Sequence, residues 1–188
     1  GLLGAMYRAL APSADGGQWL GGLGGKIEHM DAAGAVAQLD TEALARLRSV
    51  KPAALAEDRE GRLWVAYLGG VLRITHDGAV DEWNVKDAQA PVPSGQIGWL
   101  LPAPDGSLWL AAPGGGVQQR DSATGRLLGD FPAGESSGLG DADIEAMVLS
   151  ASGAPWLATS DGILQFDKRR QRFVQNAAMG HERVYALA

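Results

Sequence analysis

A phrase of Gly-x-x-Trp followed by an aliphatic residue occurs four times in this sequence, at Gly16–Leu20, Gly61–Val65, Gly106–Leu110 and Gly153–Leu157. The tryptophans Trp19, Trp64, Trp109 and Trp156 stand 45, 45 and 47 residues apart. A fixed period of this length marks a repeat architecture, in which each unit buries its apolar face only by stacking on a neighbour. Nine residues before each tryptophan stands a large aliphatic side chain (Leu10, Leu55, Leu100 and Met147). The constancy of that position predicts a core residue in every unit.

Each unit reads as four short strands. An apolar run comes first (7–11, 52–56, 97–101, 144–148) and a turn rich in Asp and Gly follows, with Asp15, Asp58 and Asp105 as turn residues. Glycine supplies the positive φ that such turns need, and aspartate bonds its own backbone two residues on. The tryptophan strand leads to a second turn at Gly24-Gly25, Gly69-Gly70, Gly114-Gly115 and Asp161-Gly162. No helix and no Lys-Ser/Thr follows these glycines, so they are turns and not phosphate loops. A third and a fourth strand close the unit, the fourth around Val36–Leu39, Val80–Trp83, Leu127–Phe131 and Phe173–Gln175.

Four strands in about 45 residues is the pattern of a β-propeller blade. The expected fold is therefore all-β: a β-propeller of four-stranded antiparallel blades at about 5–39, 52–83, 97–131 and 144–175, forming one domain over 1–188. Residues 184–188, Val-Tyr-Ala-Leu-Ala, match the first strand of a fifth blade. The repeat is compatible with a piece of a larger propeller, a four-bladed ring, or an assembly sealed by a second chain; the first is the preferred expectation. Open end blades would favour self-association. The longest connections run from one blade to the next. The first of them, Asp40–Lys51, holds good helix formers at Thr41–Leu47 after a possible cap at Asp40 and is compatible with a short helical turn.

Composition narrows the function. The formal net charge is −6, which argues against a nucleic-acid partner. There are no cysteines, hence no disulfide and no thiolate metal site. The three histidines His29, His76 and His181 share no metal-ligand spacing, and no nucleophile motif or paired acid and base is visible. The expectation is a non-enzymatic chain with no cofactor and no metal. The four tryptophans, equivalent in every repeat, are expected to be structural and not a stacking platform.

One position varies where its neighbours are constant. Eleven residues before each tryptophan stand Arg8, Ala53, Gly98 and Glu145, with Tyr185 equivalent in the last, incomplete repeat. The first strand of a blade is innermost, so these residues are expected at the mouth of the central channel, ringed by the inter-blade loops and the second turns. Arg8, Trp99, Glu145 and Tyr185 are the expected contacts to a small molecule, an oligosaccharide or a partner protein.

The repeat resembles the two-component regulator propeller family. The likeness is carried by Val92-Pro93-Ser94-Gly95-Gln96-Ile97, then Asp105-Gly106-Ser107-Leu108-Trp109-Leu110-Ala111-Ala112, then Gly114-Gly115-Gly116-Val117, and by Ala158 to Asp167 in the last copy. The likeness spans nearly the whole chain. The last copy lacks the aspartate before Gly153, and Gln18 stands where an apolar residue is usual. The resemblance implies a ligand-sensing or signal-relay module from the periplasmic, extracytoplasmic part of a two-component or diguanylate-cyclase-type receptor. Two alternatives remain: a streptogramin-lyase-like propeller enzyme, suggested by Gly16–Trp19 and Gly24–Ile27, and a pure protein-interaction scaffold.

Overall fold

A computed structural model describes residues 6–39, 51–88, 91–178 and 180–187. The expected helical turn at Thr41–Leu47 lies outside the described residues. The described residues are all-β, with sixteen strands in four antiparallel sheets of four. Among the described residues the only helical element is one 3₁₀ turn at Leu23–Gly25. The first sheet is a meander of β1 (Tyr7–Pro12), β2 (Gln18–Gly22), β3 (Ile27–Met30) and β4 (Val36–Gln38). The second is β5 (Ala54–Glu57), β6 (Leu63–Tyr67), β7 (Gly70–Ile74) and β8 (Val80–Asn84). The third is β9 (Trp99–Pro102), β10 (Ser107–Ala112), β11 (Gly116–Asp121) and β12 (Leu127–Phe131). The fourth is β13 (Ile144–Leu149), β14 (Pro155–Thr159), β15 (Gly162–Asp167) and β16 (Arg172–Gln175). These are the blades that the tryptophan spacing predicts.

The chain divides into two compact units, Gly1–Val92 with Gln96–Leu100 and Pro93–Gly95 with Leu101–Ala188. The turn between the first two strands is the same in every sheet. A backbone N–H donates across it (Ser13 to Gly17, Asp58 to Arg62, Ala103 to Ser107, Ser150 to Ala154), and the glycine N–H returns a bond to the first residue. The glycine carries a φ of +83°, +72°, +81° and +75° in the four copies. This is a type I turn closed by a left-handed residue, the usual three-residue hairpin loop. Asp15, Asp58 and Asp105 sit in it and accept from the backbone N–H groups of Gly17, Glu60 and Ser107 at 2.9, 3.1 and 3.1 Å.

In the first unit, sheet one packs on sheet two. Ala9, Ala11 and Ile27 meet Leu55, Leu63, Val65, Tyr67, Leu72 and Ile74, all buried, with Trp19 partly buried against them. The approach is close: a Cβ at Gly21 would lie 2.9 Å from Pro52 Cβ and 3.3 Å from Leu55 Cδ1. Glu57 stitches the sheets, accepting from the Trp19 indole N–H and, at 2.8 Å, from the Ser13 hydroxyl. In the second unit, Trp109, Phe131, Phe166 and Phe173 form one aromatic cluster, with Trp109 and Phe166 centroids 5.0 Å apart.

Leu55, Leu100 and Met147 are buried as expected, but Leu10 is 63% exposed. The register is not at fault, because Leu10 pairs with Leu20 as Leu55 pairs with Val65 and Met147 with Leu157. Leu55 is buried because the first sheet covers its face; among the described residues no sheet precedes Leu10. Of the four tryptophans, Trp64 and Trp109 are fully buried, while Trp19 and Trp156 are half-buried. Residues 182–187 carry no strand, and Val184 N–H donates to the Thr159 carbonyl at 3.1 Å.

Candidate functional site

Arg8 and Glu145 sit on β-bulges. In the first sheet Tyr7 pairs with Gly22 and Ala9 with Gly21, so Arg8 is the extra residue. In the fourth, Ile144 pairs with Thr159 and Ala146 with Ala158, which leaves Glu145 as the extra one. A bulged residue stands outside the ladder, bends its strand and re-aims its side chain, and bulges concentrate where side chains are put to use.

Arg8 lines a cavity of about 610 Å³ within the first unit, together with Lys51, Pro52, Ala53, Tyr67, Leu68 and Gln96. The size suits a small-molecule site. Four elements converge there: the start of a first strand, the connection entering β5, the turn after the tryptophan strand, and the connection entering β9. That turn is a two-residue loop, Leu68-Gly69, between the paired Tyr67 and Gly70. Leu68 at its tip is 72% exposed and forms a lone antiparallel bridge with Gln96. The Tyr67 hydroxyl donates to Glu82; burial, then the Glu82 carboxylate, pushes the phenol well above its usual range. Among the described residues neither Arg8 nor Lys51 forms an ion pair, and no carboxylate lines the cavity.

Glu145 is paired. It accepts from the Arg183 guanidinium, whose carbon lies 5.1 Å from the centre of the Tyr185 ring. Its carboxylate raises the Arg183 pKa. The second unit thus brings Glu145 and Tyr185 together through Arg183, a residue the repeat comparison did not single out. Trp99 opens β9 and is half-buried. Lys51, Leu68 and Gln96 were also missed by the sequence; an apolar Leu68 at a turn tip was the available signal.

The histidines are dispersed. The His29 ring packs on Trp19 at 4.6 Å, and its buried Nε2 is 3.3 Å from Asp15 Oδ1 without hydrogen-bond geometry. His181 Nδ1 is 3.3 Å from Asp161 Oδ1. Among the described residues no group of three or more His, Asp or Glu side chains is placed to hold a metal ion. No helix among them is long and apolar enough to cross a membrane.

No family model and no curated protein matches the chain. Solved structures do. The extracellular domain of a putative hybrid two-component system from B. thetaiotaomicron aligns at a TM-score of 0.64 and 16% identity, over 90% of this chain and 22% of that one. Another such domain from the same organism aligns at 0.61 and 16%, over 89% and 22%. A catalytically inactive virginiamycin B lyase from Staphylococcus aureus with quinupristin aligns at 0.65 and 17%, over 92% and 55%. The chain therefore spans about a fifth of the sensor domains and about half of the lyase. These likenesses establish the propeller-type fold.

Proposed function

We propose that this chain is a non-enzymatic, ligand-sensing or signal-relay segment of a bacterial two-component or diguanylate-cyclase-type receptor, working on the extracytoplasmic side. The observation that carries the proposal is the cavity at the Arg8 bulge. It gathers two cations, an amide and an exposed apolar tip, and among the described residues no carboxylate pairs with the cations and no acid or base is aligned for chemistry. The likeness to extracellular two-component domains and the resemblance of the repeat support the same reading. Binding to the folded state raises the melting temperature with ligand concentration. The test is thermal melting of the 188-residue chain against sugars, oligosaccharides and small acids. A concentration-dependent rise is expected for one class. No rise with any of them would leave the protein-interaction scaffold as the better reading.

A second reading rests on the likeness to virginiamycin B lyase. It would show itself as metal-dependent turnover of a streptogramin by this chain.

A further inference from the structure

We infer that the Arg8 cavity takes a small organic anion, its carboxylate or similar oxyanion paired with Arg8 and Lys51 and its body resting against Leu68 and Pro52. The inference rests on the sensing role proposed above and names the chemistry of the ligand.

Charge is the first argument. Two cationic side chains, Arg8 and Lys51, meet in one cavity, and among the described residues no acidic side chain lines it. The phenol in the lining is occupied, since Tyr67 gives its hydroxyl to Glu82. Like charges gathered around a concavity repel each other until an anion enters, and an arginine fork matches a carboxylate in two hydrogen bonds. The second argument is internal to the repeat. The bulge of the fourth sheet carries a carboxylate, Glu145, and the chain closes it with its own guanidinium, Arg183. The bulge of the first sheet carries the guanidinium, and among the described residues no carboxylate answers it. The fold thus shows a carboxylate–guanidinium pair at one bulge and half of such a pair at the other.

The remaining lining sets the shape of the guest. Leu68 keeps 72% of its surface open beside the two charges, and Pro52 is buried below. Gln96, whose backbone bridges to Leu68, brings a side-chain amide that both donates and accepts. A guest with one charged end, an apolar or ring-shaped face and a neutral polar group meets all of these. The protein as a whole carries −6, so attraction for an anion is local and sensitive to salt.

The experiment uses the 188-residue chain and matched probes, glucuronate against glucose and benzoate against benzamide, read by calorimetry and melting at low and high salt. The acid of at least one pair is expected to bind about tenfold or more tightly than its neutral partner, the usual worth of a hydrogen bond to a charged group. Salt should weaken it. The Arg8→Gln/Lys51→Gln pair of substitutions should abolish the preference without moving the ligand-free melting temperature. Arg8→Lys should keep part of it, and Lys168→Gln, which removes a charge elsewhere, should leave it intact. Whether a sugar acid or an aromatic acid wins tells which body the ledge accepts. Equal binding of acid and neutral partner, or an acid preference that survives the double substitution, overturns the inference. Binding of neutral probes alone overturns it while leaving the sensing role standing, whereas no binding by any probe removes the support for both.

Discussion

Arg8 and Glu145 are the same residue of the repeat with opposite charge, each the extra residue of a bulge between the first two strands of its sheet. Glu145 is closed by Arg183, and Val184, next in the chain, donates its N–H to Thr159. The ion pair therefore fastens the segment 183–185 to the fourth sheet. Replacing Arg183 with alanine should speed amide exchange at Val184 while the melting temperature barely moves, since exposed ion pairs add little to global stability. Unchanged exchange at Val184 would show that the backbone bond alone holds the segment.

The two fully buried tryptophans differ in one atom's surroundings. Trp64 Nε1 donates to Asp58 at 2.9 Å, whereas Trp109 Nε1 has no partner among the described residues. Six residues before its tryptophan the second sheet has Asp58 and the third has Ala103. Seven before, the second sheet has Glu57, which serves Trp19 of the sheet ahead, and the fourth has Leu149. Trp64→Phe should thus cost about 1 kcal/mol more than Trp109→Phe, because it removes a buried hydrogen bond to a carboxylate that Arg62 still serves, while the other removes an unmet donor. Denaturant melts of both variants check this; equal losses would mean that ring packing sets both.

Turn geometry gives a pair of opposite effects. Gly106 has a φ of +81°, and an added Cβ would meet nothing within 4 Å, so Gly106→Ala should destabilise through backbone conformation alone, by about 1–2 kcal/mol. Gln171 is the one non-glycine among the described residues with positive φ, at +51°. Gln171→Gly relieves that strain but gives up a 2.8 Å bond from its amide to the Lys168 carbonyl, so a small net rise in melting temperature is expected. A fall would show that the amide bond outweighs the strain.

Acid should weaken the fold through its turns. The carboxyls of Asp15, Asp77, Asp121 and Asp167 are all held below their usual range. The main causes are the Gly17 N–H, the Thr75 hydroxyl, the Thr124 hydroxyl and the Arg170 N–H respectively. A carboxyl with a depressed folded pKa binds fewer protons folded than unfolded. Its contribution is complete above the unfolded value of about 3.9 and is lost as pH falls through the folded values. Melting temperature should therefore be insensitive to these groups near neutrality and decline below about pH 4, with Asp→Asn at these turns flattening the decline.

The tryptophan period made the four sheets legible, because the turn before each tryptophan depends only on residues within it. What escaped depends on a neighbour. Leu10 occupies the same register as Leu55, yet its burial is set by whether another sheet covers it. Lys51 and Arg8 are 43 positions apart and Glu145 and Arg183 are 38 apart, so nothing local joins them. The position eleven before the tryptophan was legible as variable. Its bulge was not, since a bulge leaves the composition of a strand unchanged.

The bulges in the first and fourth sheets also bear on how such a chain could change over time. Because Arg8 and Glu145 stand outside the ladder, exchanging either removes no cross-strand pair and disturbs no core contact. A single codon change could then reverse the charge presented by one unit while every other unit stays as it was. The repeat is conservative in its folding and permissive at one site per bulged sheet, so new selectivity can be tried without first acquiring stability to spare.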